Sequence, residues 1–214
     1  MADWGKKIPG GYFDEVKHVY RDDEGAILPS VTQIFEMLHF TDFSGINEDV
    51  LEWKRQFGTS VHSAVEYLVQ NDLDWDSMDL AIVPAVTGIE QRLKEIQYKS
   101  IAVEEGKIMN LFGMKYGGTL DHRGTCVYQG QVRDCIIDLK TASKEEKYWK
   151  WQVASYTVGV PKTKLPIIGI VLKVDKDGKV VPYFYDVRSS LREFQVLLAA
   201  CILGINNGIY QLRK

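Results

Sequence analysis

Gly118-Thr119-Leu120-Asp121 is followed, after sixteen intervening residues, by Asp138-Leu139-Lys140. Both segments sit in strand-like stretches, and the second closes the apolar run Cys135-Ile136-Ile137. Residues two apart in a strand share a face, so Asp138 and Lys140 project together while Leu139 points the other way, into the core. The bland alternative is an Asp in a surface turn and an Asp/Lys pair on an edge strand. The apolar run argues against it, because it reads as a central strand, and burying charges there without a task costs free energy. Two carboxylates suit a hard cation such as Mg²⁺, which takes oxygen ligands and keeps several waters. The backbone carbonyl of Leu139 can turn toward the same place as a further ligand. A lysine beside the carboxylates can stabilise or help deprotonate a bound water and offset charge on a phosphate.

Working outward, glycine-punctuated alternation from 101 to 140 predicts strands near 101–105, 107–113, 115–126 and 132–140, with a hairpin turn at Tyr128-Gln129-Gly130-Gln131. An aromatic-rich helix is expected over 145–159. Strands follow at 166–174 and 179–187, joined through Asp177-Gly178, a strong hairpin signal. A closing helix is expected over 190–211. Upstream, residues 1–30 read as irregular, broken by Gly5, Gly10, Gly11, Gly25 and Pro29. A short helix starts after Pro29-Ser30, with Val31, Ile34, Phe35 and Leu38 at helical spacing. Longer helices are predicted over 47–70 and 80–98, with an acidic loop at 71–79 between them. This order predicts a mixed α/β (α+β) fold, a central mixed sheet flanked by helices. One domain is expected over 1–214, with 1–45 as an N-terminal embellishment and 46–214 as the core.

The net charge is −3, which does not announce a nucleic-acid binder but leaves room for a local basic patch around an acidic centre. Cys126, Cys135 and Cys201 form no spaced cluster, so neither a disulfide framework nor a zinc site is indicated. The N-terminus has no apolar signal region, and no apolar run approaches bilayer length. The expectation is a cytoplasmic protein with no membrane association.

Other candidates flank the two strands. His62 and Glu66 lie i and i+4 on the 47–70 helix and so face one way. His62 reads either as a metal ligand, with Glu66 orienting it or binding through water, or as a buried structural histidine beside Val61 and Val65. Gln152 and Tyr156 are also i and i+4, with Trp149, Trp151, Lys147 and Lys150 nearby. They could contact a nucleic-acid backbone and stack on bases, or the aromatics could fill the core. At least one tryptophan is expected there. Ser30 and Thr32 read as a helix cap or as a phosphate cradle. Asp72, Asp74, Asp76 and Asp79 lack the glycine and glutamate of a calcium loop, having Ser77 and Val83 at those positions. His122 and Arg123 read as rim residues at most, and Gly117-Gly118 makes no phosphate-binding fingerprint.

The set Gly58…His62…Glu66, Gly-Thr-Leu-Asp121, Asp138-Leu-Lys140 and Gln152-x-x-x-Tyr156 resembles the PD-(D/E)XK nuclease superfamily, in its RecB-type exonuclease branch. With Pro29-Ser30-Val31-Thr32 it looks closer to the mitochondrial genome maintenance exonuclease type and its phage relatives. The resemblance spans about residues 26–160. It implies a restriction-endonuclease-like core and Mg²⁺- or Mn²⁺-dependent hydrolysis of DNA. It implies His62, Asp121, Asp138 and the Leu139 carbonyl as metal ligands, Lys140 as catalytic, and Gln152 and Tyr156 near the substrate. Asp138 stands where many members have Glu, and its shorter arm demands a closer metal. The three scattered cysteines imply no iron–sulfur cluster, and no nucleotide cofactor is implied. The function expected is an exonuclease working on single-stranded DNA ends in repair, recombination or phage DNA metabolism. It would sit in a bacterial or phage-infected cytoplasm, with a recombination or replication protein as possible partner. The rivals are a structure-specific endonuclease and a catalytically idle nucleic-acid-binding module.

Overall fold

Four short strands open the chain in the computed structural model, which describes residues 4–41, 47–142 and 144–213. They are β1 (Lys6–Ile8), β2 (Gly11–Asp14), β3 (Val19–Asp22) and β4 (Ile27–Leu28), and they form an antiparallel meander. This corrects the expectation of irregular chain over 1–30. Strands of two to four residues are too short to display a period-two pattern. The glycines that read as breaks are the turns between strands: Gly10 and Gly25 hold φ of +83° and +86°, which side chains disfavour. The expected boundary between 45 and 46 lies outside the described residues.

Helix α1 (Val31–Met37) begins at a capping box, in which Ser30 Oγ accepts the Gln33 N–H and Gln33 Oε1 accepts the Ser30 N–H. Helix α2 (Glu48–Gln70) is capped by Asn47, whose Oδ1 accepts from the N–H groups of Asp49 and Val50, and it stops at Asn71 in the left-handed region. Its buried stripe is Phe57, Val61, Ala64 and Val65. Helix α3 (Val83–Glu95) has Pro84 in its first turn, where the missing N–H costs nothing.

The central sheet follows. Strands β5 (Lys99–Leu111), β6 (Met114–Tyr128) and β7 (Gln131–Lys140) form an antiparallel meander. Then come α4 (Trp149–Tyr156) with a 3-10 turn at Thr157–Gly159, β8 (Ile167–Val174), β9 (Val180–Tyr185) and α5 (Val187–Asn206). The order is β5-β6-β7-β8-β9, with β7 and β8 parallel. A parallel pair needs a crossover, and α4 lies within it. The strands expected at 101–105 and 107–113 are one strand, because Gly106 keeps its place in the ladder opposite Thr119. The turn at Gln129-Gly130 has positive φ at both residues, +51° and +73°, which suits the twist of the strands it joins.

Helices cover both faces of this sheet. On one side Val61, Val65 and Ile89 pack on Ile137, Leu139 and Leu172; on the other Phe35, Trp149 and Phe194 pack with Ile136 and Val171. Strand β7 is thus buried on both faces, which is why it reads as a continuous apolar run. The result is the mixed α+β architecture with a central mixed sheet flanked by helices. No described helix is long and apolar enough to cross a membrane.

Candidate active site

Strands β6 and β7 part company where β7 nears its end, midway along β6. Their pairing closes at His122↔Ile137. Beyond it, Asp121 Oδ2 accepts the N–H of Leu139 at 2.8 Å, a side chain taking the place of the missing ladder carbonyl. On the other side of Asp121, β5 is irregular. Its register shifts between Ser100 and Ala102, and Glu104, between the pairs Val103↔His122 and Glu105↔Leu120, holds φ of +45°. A non-glycine residue in that region is uncommon, and a strand irregularity of this kind re-aims a side chain.

Four elements converge here. One ligand atom each from His62, Glu104 and Asp121 lie within 4.8 Å of one another. His62 Nδ1 is 3.4 Å from Asp121 Oδ2. His62 is half-buried on α2, neither sealed in the core nor free. Glu66, one turn on, accepts from Gln70 and lines the same cavity. Asp138 lies behind this group, 1% exposed. Lys140 Nζ is 2.8 Å from Asp138 Oδ2, yet that oxygen has no aligned hydrogen-bond partner. The contact is an ion pair that leaves the buried oxygen under-satisfied.

Crowding shows in the acid–base properties. Burial pushes Asp138 up to about 6, with the Asp121 charge adding to it and Lys140 opposing it. Glu104 rises to about 7, through burial of its carboxyl first and then the charges of Asp121, Glu66 and Asp138, although the residue as a whole remains open to solvent. Burial pulls Lys140 down, but the Asp138 and Asp121 charges outweigh it and hold the ammonium above its ordinary value. Lys140 is therefore a cation at neutral pH.

A cavity of about 500 Å³ opens in front of the cluster. One wall is the His62 face of α2. The opposite wall carries Gln152 and Tyr156 from α4, Ser30 and Thr32 at the start of α1, and His18 and Tyr20 from the N-terminal sheet. Two glycines make this wall possible. A Cβ on Gly117 would lie 2.1 Å from the Tyr20 ring, and one on Gly118 would lie 2.8 Å from Tyr156 Cε1. The pair Gly117-Gly118 thus serves close ring packing.

Other sequence candidates are placed elsewhere. Trp149 is fully buried against Tyr183 and cannot stack on a base, so its reading as a DNA contact is corrected. The short α4 turns that side chain into the core. Lys150 is also displaced, pairing with Glu193 on α5 at 2.5 Å. Lys147 is exposed but outside the cavity wall. Ser30 and Thr32 do line the cavity, but they bond to each other at 3.0 Å while Ser30 caps α1. His122 is buried on the face opposite Asp121, where burial lowers its pKa to about 4, and Arg123 pairs with Glu105 at 3.5 Å. Glu104, which the sequence reading passes over, enters the cluster because β5 twists at that residue. No motif spacing marks it.

No family model matches the chain, and no curated protein matches it. Among solved structures it is similar to a candidate exonuclease from Eubacterium rectale, at 16% identity and a TM-score of 0.46, covering 72% of this chain and 69% of that one. It is also similar to a protein named SSO0001, at 15% identity and a TM-score of 0.30, covering 81% of this chain and 83% of that one. At these scores neither likeness informs the function.

Proposed function

We propose that this chain is a PD-(D/E)XK nuclease of the RecB type, a Mg²⁺- or Mn²⁺-dependent exonuclease that hydrolyses DNA from single-stranded ends. The observation that carries the reading is the convergence of His62, Glu104 and Asp121 in front of the under-satisfied oxygen of Asp138. Carboxylates pushed up by burial first and by one another's charge second, with a buried Asp138 oxygen met only by the Lys140 ion pair, fit a divalent cation. His62, Glu104, Asp121 and Asp138 would hold it. In an extended strand the N–H and C=O of one residue lie on the same edge. The Leu139 carbonyl therefore faces the gap in which its N–H meets Asp121, as a ligand there would. Bound there, the cation would acidify a water and offset phosphate charge.

Lys140 is held charged by Asp138, so it acts as an electrostatic partner for the phosphate rather than as a base. Asp121 fixes the end of β7 through Leu139 and so positions Asp138 and Lys140 together. Gln152 and Tyr156 offer an amide and a phenol from the far wall. A cavity of about 500 Å³ falls within the size range of sites that take a ligand as large as a nucleotide.

The test is a time course on end-labelled linear single-stranded DNA and closed circular single-stranded DNA, with Mg²⁺, Mn²⁺ or EDTA. Metal-dependent loss of the linear strand alone, abolished by Lys140→Ala, is the expected result. Cutting of the circle would instead mean an endonuclease on this fold. Inertness toward both would favour an idle binding module.

A further inference from the structure

The cavity is chemically two-ended, and cation binding uses only one end. At that end stand Glu66, Glu104 and Asp121 beside His62. The other end is built of uncharged hydrogen-bonding groups. Tyr20 Oη and Thr119 Oγ1 are 2.9 Å apart, and Gln152 Nε2 donates to Tyr156 Oη at 3.3 Å. Gln152 is 4% exposed, and its Oε1 has no partner. Among the described residues, no lysine or arginine lines this cavity. Lys140 lies behind it, engaged with Asp138. His18, on the rim, is held below its ordinary pKa by burial and by Arg213, and so adds no charge at neutral pH.

We infer that the uncharged end is a pocket for the terminal nucleoside of the strand, and that it discriminates against a phosphorylated terminus. This rests on the exonuclease reading and adds to it the chemistry of the end that is accepted. Thr119 precedes Asp121 by two residues, roughly 6.6 Å along β6, so the Tyr20–Thr119 hydroxyls stand about that far from the cluster, while Tyr156 lies close enough for the Asp138 and Asp121 charges to reach it. A nucleoside with a free hydroxyl brings donors that the lone Gln152 Oε1 can accept, and acceptors for the Tyr20 and Thr119 hydroxyls. A terminal phosphate would bring up to about two negative charges into a space that no lysine or arginine lines among the described residues, close to three carboxylates. Desolvating an unpaired charge there is costly. The only phosphate this cavity favours is the one at the cation.

Three linear single strands of one sequence test this: hydroxyls at both ends, a 5′-phosphate only, and a 3′-phosphate only. Degradation is followed in Mn²⁺, and binding by fluorescence anisotropy in Ca²⁺. One of the two phosphorylated strands should be degraded at least about tenfold more slowly than the hydroxyl strand and should bind more weakly. The other should behave like the hydroxyl strand, and the affected end is the one engaged. Thr32→Lys, which adds a cation at an exposed position on this wall, should narrow the difference. Loss of both phosphorylated strands at or above the rate of the hydroxyl strand would overturn the inference while leaving the exonuclease reading intact, as would a Thr32→Lys protein with unchanged discrimination. Failure to degrade any of the three would bring down the exonuclease reading and this inference with it.

Discussion

The loop over residues 72–79 carries four aspartates, Asp72, Asp74, Asp76 and Asp79, in one short run, whereas the candidate site draws one carboxylate from each of three strands. In the loop every one of these side chains is exposed. Two of them serve the loop itself: Asp74 accepts from the Asp76 N–H at 3.1 Å and Asp79 from the Ala81 N–H at 2.9 Å. Around the end of β7, midway along β5 and β6, Glu104, Asp121 and Asp138 converge with His62 from a helix, and two of the carboxyls are pushed well above their ordinary values. Acidic residues close in sequence spend their oxygens on nearby backbone. Among those brought together by the fold, Asp121 also gives an oxygen to backbone, the Leu139 N–H, but its neighbours there are a histidine and a further carboxylate, the groups a cation takes.

The largest break in this contrast comes from the buried pair. Asp138→Asn and Lys140→Ala should each lower the rate of DNA hydrolysis at least about a thousandfold, on the order of 4 kcal/mol of transition-state stabilisation. Turnover of linear single-stranded DNA measures it, with circular dichroism confirming the fold. A smaller effect is expected at Glu104. Glu104→Gln should weaken Mn²⁺ binding by about tenfold to a hundredfold, the range seen when one supporting group is lost from a metal site. Retention of wild-type affinity would remove Glu104 from the cluster.

A third, subtler expectation concerns pH. The folded-state values of Glu104 and Asp138, about 7 and about 6, lie above their ordinary values of 4.5 and 3.8. The folded protein then binds protons more readily than the unfolded chain. The stability these groups contribute is fully present below about pH 4 and is lost as pH rises through 6 to 7. In EDTA, the melting temperature of Glu104→Gln relative to the parent should therefore climb between pH 5 and pH 8. A flat difference would mean that Glu104 is not crowded. The smallest effect belongs to the loop: Asp74→Asn with Asp76→Asn should change stability by no more than about 0.5 kcal/mol and leave hydrolysis untouched.

How much of this was legible depends on the kind of signal each residue gives. Asp138 and Lys140 announce themselves because charges end an apolar strand, and His62 and Glu66 because helical spacing puts them on one face. The long helices and the central strands follow from periodicity over many residues. The N-terminal meander escapes because strands of two to four residues carry too little pattern. Glu104 escapes for a different reason. Its membership depends on a left-handed backbone at one point in β5, and no side-chain spacing encodes that. Trp149 misleads because an aromatic next to lysines suits a nucleic-acid surface as well as a core. Only the packing of α4 between the sheet and α5 decides the matter.

Calorimetric titration of Mn²⁺ tests the contrast most directly, using the parent protein, Asp121→Asn, and the Asp74→Asn/Asp76→Asn double variant. The expected outcome is saturable binding in the parent, its loss in Asp121→Asn and its retention in the loop variant. Binding that survives Asp121→Asn and disappears with the loop aspartates would contradict the assignment of the strand carboxylates as the cation site.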